Sequence, residues 1–165
     1  VINYGDQRLI GGFDWNNFAR SFDAALLRWE SGDYRVDAFA SSVVLVRDDT
    51  VNFSDLFNWS DSDREMVFSG LYATTKAIPA HTLDVYALWL SQQRGNVTNF
   101  ASLLSLPPAG SQGGNANEPS NFGTFGFRLV GDPKKLGGFE YDLEPAFQLG
   151  QLAGLDLAAA AVHVG

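Results

Sequence analysis

Several segments of this chain alternate apolar and polar residues with a period of two, the spacing at which a β-strand presents its two faces. The clearest is GFEYDLEPAFQLG, in which Phe139, Tyr141 and Leu143 alternate with three acidic residues. YRVDAF, TLDVYALW and GTFGFRL alternate in the same way. Their predicted apolar faces carry Tyr34, Val36, Ala38, Leu83, Val85, Ala87, Trp89, Phe125, Phe127 and Leu129.

The connections between these segments alternate in length. Compact turns with Gly or Pro are predicted at 30–33, around Pro79 and at 131–138, and long polar loops near 47–64 and 92–121. MVFSGLYATT and LDLAAAAVHV are two further predicted strands, whose facing the pattern leaves open. An all-β fold follows: an up-and-down antiparallel sheet of about seven strands, typical of a transmembrane β-barrel wall. We expect residues 1–165 to form a single region.

The position of the turn predicts which residues pair across the first hairpin. With Ser31-Gly32 as the two turn residues, Trp29 faces Tyr34 on the apolar side. Arg28 then faces Arg35, an unfavourable pair that Asp37 or an anionic ligand would have to offset. The spacing of DWNNFARSFDAALLRWE also fits an amphipathic helix. The partner segment after ESGD favours a strand over 22–30, and the conformation of 13–20 stays open.

Composition narrows the function classes. The chain has 165 residues, 19 acidic against 11 basic, and a formal net charge of -8, which argues against a nucleic-acid partner. It contains no cysteine, which excludes thiolate metal sites and thiol nucleophiles. No apolar run is long enough for a membrane helix, but a membrane-spanning strand needs only about 9–11 residues. VINYGDQRLI has neither the basic start nor the apolar run of a signal peptide.

The polar face of the predicted strands carries charges of both signs. In a barrel it would line the lumen, where fixed charges select solutes; in a soluble sheet it would face solvent, and periodicity alone does not separate the two. Glu140, Asp142 and Glu144 resemble the carboxylate set of a glycosidase, but three acids along one strand are more typical of a solvated or lumenal stripe. We therefore predict no enzymatic activity, no catalytic residue, no metal site and no cofactor.

One long stretch carries a family resemblance. NYGDQRLIGGFDWNNFARSFDAALLRWE, followed by YRVDAFA, resembles the signature region of the bacterial alginate-export domain family. GLYATT, LDVYALWL and GFEYDLEPAFQLG are similar to later strands of that family, in the same order. The resemblance implies an outer-membrane β-barrel porin of Gram-negative cells that conducts an anionic uronate polysaccharide. Its expected partners are the polymer and outer-membrane lipid, and envelope secretion partners are not identified.

The resemblance also implies a role for the opening segment, residues 4–23, as lumen-associated wall or loop. It would add Asp6, Gln7, Arg8, Arg20 and Asp23 to a polar network inside the pore. The length of the chain and its end in AAAAVHVG suggest a fragment of a larger barrel, and Pro145 suggests a bulge or a rim position. A soluble carbohydrate-binding β-sandwich is the alternative, and it would bury the apolar faces. The predicted lumen residues are Arg8, Arg20, Arg28, Arg35, Asp37, Asp84, Arg128, Glu140, Asp142 and Glu144.

Overall fold

A computed structural model of the chain describes residues 4–5, 21–44, 66–92 and 118–165. Within these ranges seven strands form one antiparallel sheet, in which each strand pairs with its neighbours in sequence and the first and last lie at the edges. The predicted up-and-down sheet of about seven strands is confirmed. The strands are β1 (Ser21–Ser31), β2 (Tyr34–Val44), β3 (Met66–Thr75), β4 (His81–Gln92), β5 (Ser120–Gly131), β6 (Asp142–Leu152) and β7 (Leu155–Val164).

The predicted segments MVFSGLYATT and LDLAAAAVHV coincide with β3 and β7. The residues of β1 take the strand conformation rather than the helical alternative, while residues 13–20 lie outside the described ranges. Short connections join β1 to β2, β3 to β4 and β5 to β6, and they define the turn side of the sheet. At the opposite ends of the strands the longer connections leave the sheet, and Ala153-Gly154 joins β6 to β7. We call these ends the loop side.

Across the part of the chain that the structure describes, no helix is long and apolar enough to cross a membrane.

The register of the first hairpin corrects the prediction. The turn residues are Gly32 and Asp33, so that Ser31 pairs with Tyr34 and Trp29 with Val36, two residues away from the predicted pairing. Gly32 has a φ of 56°, which fits a two-residue hairpin turn with glycine at its first central position. The side chains of both strands lie on the predicted faces of the sheet, because a shift of two residues in the pairing leaves every side chain on the same face.

This register removes the predicted pair of adjacent arginines. Arg28 lies directly opposite Asp37, and Arg35 lies opposite Glu30. Each arginine therefore has a carboxylate as its cross-strand neighbour, which is the favourable arrangement on a sheet face.

The start of β6 corrects two further predictions. The strand begins at Asp142, so Glu140 lies in the connection before it, exposed, and not in a row with Asp142 and Glu144. Pro145 lies inside β6 and produces no bulge, since the pairing of β6 with β5 keeps one register on both sides of it. The ladder lacks pairs only at Phe127 and Arg128, next to the proline that cannot donate.

The two faces of the sheet differ sharply in exposure. We call the face against which Tyr4 packs the inner face, and the opposite one the outer face. Leu27 on β1 is 74% exposed and Val162 on β7 is 67% exposed, both on the outer face. Large apolar side chains cover the outer face: Leu27, Trp29, Tyr34, Val36, Val67, Leu71, Val85, Trp89, Phe125, Phe127, Phe147, Leu149, Val162 and Val164.

The exposure of this face in the described residues favours the barrel over the sandwich. Tyr34, Val36 and Phe127 are exposed, as is Tyr141 just before β6. A sandwich would bury these residues under a second sheet, and the described residues form a single sheet. An exposed apolar face of this kind is typical of the outer wall of a β-barrel.

Candidate functional site

Charged side chains concentrate on the turn-side half of the inner face. Because neighbouring strands are antiparallel and closely in register, residues a few positions from each short turn fall into rows across the sheet. Asp84 lies opposite Arg128, and Glu144 lies opposite His163. We call this group the charged belt: Arg28, Glu30, Arg35, Asp37, Asp84, Arg128, Asp142, Glu144 and His163.

Asp37 is the centre of the belt on β1 and β2. Its side chain is 0% exposed, and both of its oxygens accept hydrogen bonds from Arg28, at 2.8 Å from Nε and 2.9 Å from Nη2. Arg35 approaches the same carboxylate less closely, with Nε 3.9 Å from Oδ2. The two-pronged geometry gives the Arg28 pair both strength and a fixed orientation.

Tyr4 ties the opening segment to this centre. Its hydroxyl donates to Asp37 Oδ2 at 2.9 Å, and its ring stacks on Tyr72 with centroids 4.2 Å apart. Burial, together with the hydrogen bond to Asp37, raises the pKa of Tyr4 far above its ordinary value, so the hydroxyl keeps its proton and remains a donor. Tyr4 therefore holds residues 4–5 against the face that carries the belt. Residues 6–20 of the opening segment lie outside the described ranges, and their position in the lumen stays a prediction.

Arg128 is the second centre of the belt. Its Nη2 lies 3.2 Å from Asp142 Oδ2 and its Nη1 lies 3.9 Å from Asp84 Oδ2, so one guanidinium bridges carboxylates of β4 and β6. Thr74 donates to Asp84 at 2.7 Å, and His163 Nε2 lies 3.1 Å from Asp142 Oδ1. Ion pairs and hydrogen bonds thus connect β3 to β7 across the sheet.

A tyrosine and a glycine fix the position of Glu144. The hydroxyl of Tyr86 donates to Glu144 Oε1 at 3.1 Å. The ring of Tyr86 crosses over Gly126, where a Cβ would lie only 2.5 Å from the tyrosine hydroxyl oxygen. A side chain at position 126 would therefore displace the ring and move the hydroxyl away from the carboxylate.

The loop-side half of the inner face is apolar. Met66 is 1% exposed and packs with buried Phe122, against which Phe68, Leu90 and Leu152 also pack. A second cluster joins Phe39 and Leu88 to the stacked tyrosines next to the belt. This half also holds a few polar side chains that form hydrogen bonds; for example, Gln148 donates to Thr124 at 3.1 Å.

Seven of the ten predicted lumen residues lie together in the charged belt, namely Arg28, Arg35, Asp37, Asp84, Arg128, Asp142 and Glu144. Glu140 does not, and Arg8 and Arg20 lie outside the described residues. The predicted set did not include Tyr4, Glu30, Thr74 and His163, which are members or partners of the belt. Of these, Glu30 had a usable signal, since it lies two residues after Arg28 in the same predicted strand and therefore on the same face.

Within the described ranges, no three or more His, Asp or Glu side chains are placed to hold a metal ion. The belt is instead a network of ion pairs and hydrogen bonds. Three arginines face five carboxylates, those of Glu30, Asp37, Asp84, Asp142 and Glu144, so the described wall has a small excess of negative charge.

Comparison with known proteins gives one match. A family model described as alginate export matches residues 1–165, the whole of this chain. No curated protein and no solved structure matches it.

Proposed function

This chain belongs to the alginate-export family, and from that premise we propose that it forms part of the wall of an outer-membrane pore that conducts an anionic sugar polymer or a related smaller solute. The family is one of outer-membrane export porins and not of enzymes.

The observation that carries the proposal is the division of the sheet into two faces. The outer face exposes a continuous apolar surface, and the turn-side inner face holds paired charges. The strands have 10 to 12 residues, and about 9–11 tilted residues cross the hydrocarbon core of a bilayer. Aromatic side chains lie near both ends of the outer face, Trp29 and Tyr34 on the turn side and Trp89 on the loop side, as in the interfacial girdles of such barrels.

The belt suggests which arginine contacts the solute. Arg28 and Arg128 hold carboxylates at 2.8 and 3.2 Å and serve to fix the wall. Arg35 is 3.9 Å from its nearest carboxylate, and 37% of its side chain is exposed, against 12% for Arg128. We assign Arg35 to the solute, because its guanidinium is accessible and is not held in a short ion pair, so that it can bind a carboxylate of a passing uronate.

The test is single-channel conductance of the membrane-inserted protein in a planar bilayer, with and without added oligouronate. We expect stable open steps that the oligouronate blocks. Arg35→Gln should weaken the block by roughly tenfold, the loss of about one charge-assisted hydrogen bond. Lys134→Gln removes a positive charge from the exposed β5–β6 connection and serves as the matched control, with the block unchanged.

Two results would count against the proposal at different levels. Open steps that oligouronate does not affect would keep the pore and reject the anionic polymer. Protein that stays soluble without detergent and forms no channels would reject the pore and favour a carbohydrate-binding module.

A further inference from the structure

Two hydrogen bonds fill one oxygen of the Asp37 carboxylate. Oδ2 accepts from the Tyr4 hydroxyl and from Arg28 Nη2, each at 2.9 Å. Arg35 Nε lies 3.9 Å from the same oxygen, too far for a hydrogen bond. A carboxylate oxygen offers about two lone-pair sites, so the two short hydrogen bonds use both of them and Arg35 is left outside.

Arg35 is placed to bind Asp37 if one of these sites becomes free. It lies two residues before Asp37 on β2, so both side chains project from the inner face. Within the described residues its Nε is buried and has no hydrogen-bond partner, an unfavourable state for a donor. Glu30 lies opposite Arg35, but its side chain is 61% exposed, so water screens its charge more than that of the fully buried Asp37. Asp37 is therefore the carboxylate that Arg35 would bind.

Ring contacts hold the Tyr4 hydroxyl against Asp37. The ring is buried and stacks on Tyr72 and on Phe39, with centroids 4.2 Å and 5.9 Å away. Because the packed ring has little freedom left to lose, its hydroxyl bonds Oδ2 at a small entropic cost, whereas the partly exposed side chain of Arg35 would have to be ordered to do so. The hydroxyl also carries no charge. It satisfies the oxygen and leaves the positive charge of Arg35 available to another anion.

We propose that Tyr4 is a positioning residue for solute recognition: its hydroxyl occupies Oδ2 of Asp37 and so keeps the Arg35 guanidinium available to a uronate carboxylate. The inference rests on the proposed function, in which Arg35 contacts the solute. Without the hydroxyl, Arg35 would enter a short ion pair with Asp37, as Arg28 does, and would bind the solute less well. A residue that lies before the first strand of the sheet thus takes part in solute specificity.

Oligouronate block of the membrane-inserted protein in a planar bilayer tests this role with Tyr4→Phe, which keeps the ring and removes the hydroxyl alone. We expect the block to weaken about threefold, less than for Arg35→Gln, because an arginine paired with Asp37 still keeps its charge. In the Arg35→Gln background, Tyr4→Phe should cause no further change. This non-additivity distinguishes an action through Arg35 from a general effect of the hydroxyl on the wall.

Two control variants separate this role from a purely structural one. Tyr34→Phe removes a tyrosine hydroxyl from the outer face, one residue before Arg35, and should leave the block unchanged. Met66→Ala removes a buried side chain of the loop-side half and should lower the stability more than Tyr4→Phe does, again with the block unchanged. With both controls, neither the loss of a hydroxyl nor a loss of stability would account for a weaker block.

The outcomes separate the role of Tyr4 from the function on which it rests. A block that Arg35→Gln weakens and Tyr4→Phe leaves unchanged would overturn the role of Tyr4 and leave the proposed function intact. Equal weakening by Tyr4→Phe with and without Arg35 would also overturn it, because Tyr4 would then act by another route. If Arg35→Gln itself had no effect on the block, the assignment of Arg35 to the solute would fail, and the role of Tyr4 with it.

Discussion

Near the short turns the inner face carries ion pairs, whereas near the opposite ends of the same strands it carries Met66, Phe122 and Leu88. On β4 the change occurs within a few residues, from buried Asp84 to buried Leu88. Both halves are well packed, but charge pairing organises one and apolar burial the other.

The difference indicates which half can serve transport. A charged solute crosses a low-dielectric wall only along polar groups that replace part of its hydration. The charged belt offers charged groups, while the loop-side half offers only a few uncharged ones, such as Gln148 and Thr124, and gains its stability from apolar burial. Substitutions in the apolar half should therefore change stability alone, and substitutions in the belt should change stability and ion selectivity together.

The largest effect on stability should come from the apolar half. Met66→Ala removes a side chain that is 1% exposed and should lower the free energy of unfolding by about 2–5 kcal/mol, through lost burial and the cavity left behind. Urea unfolding of the lipid-inserted protein measures this. Val67→Ala, one residue along on the outer face, is the control with a smaller loss, and neither variant should alter the ion selectivity of the pore.

A somewhat smaller loss is expected for Asp37→Asn in the belt. The amide keeps the shape but removes the charge that holds Arg28, and we expect a cost of roughly 2–3 kcal/mol, below that of a fully buried pair because the arginine is 44% exposed. Selectivity should shift towards anions, measured as the reversal potential under a salt gradient. An unchanged reversal potential would mean that the belt does not face the conducting path.

The smallest effect is expected for Tyr4→Phe, which keeps the stack on Tyr72 and removes only the hydrogen bond to Asp37. The loss should be about 1 kcal/mol. In the double variant with Asp37→Asn, the loss should be smaller than the sum of the two single losses, because both substitutions disturb the same hydrogen bond. Strict additivity in the unfolding measurements would argue that Tyr4 and Asp37 do not interact.

The assignment of side chains to the two faces was most reliable where the faces differ in polarity. The alternation in YRVDAF, TLDVYALW and GTFGFRL assigned the outer residues correctly, because apolar and charged positions alternate there. It could not reveal the apolar half of the inner face, since at Leu88 and Phe122 both faces are apolar and the period of two disappears.

Register and long-range contacts were harder for physical reasons. A two-residue hairpin turn accepts glycine at either central position, so Gly32 alone did not distinguish the two registers. The contact of Tyr4 with Asp37 joins residues 33 positions apart, and no local pattern encodes it. The family resemblance implied a lumenal position for the opening segment, of which the structure describes residues 4–5 and 21–23, and it did not identify Tyr4 as the residue that contacts Asp37.

The central claim is that one face of this sheet contacts lipid and the other contacts the pore, and the alanine run of β7 tests it most directly. Ala159 and Ala161 lie on the inner face, opposite Gln148 and Ala146, whereas Ala158 and Ala160 lie on the outer face. All four are exposed, and the chain has no cysteine of its own. Single Ala→Cys variants therefore give four matched reporters.

The measurement is the reaction of each cysteine with a membrane-impermeant thiol reagent in the lipid-inserted protein. Cys introduced at 159 and 161 should react and Cys at 158 and 160 should be protected, with all four reactive after solubilisation and unfolding. Reaction of all four in the bilayer, or protection of 159 and 161 instead, would contradict it.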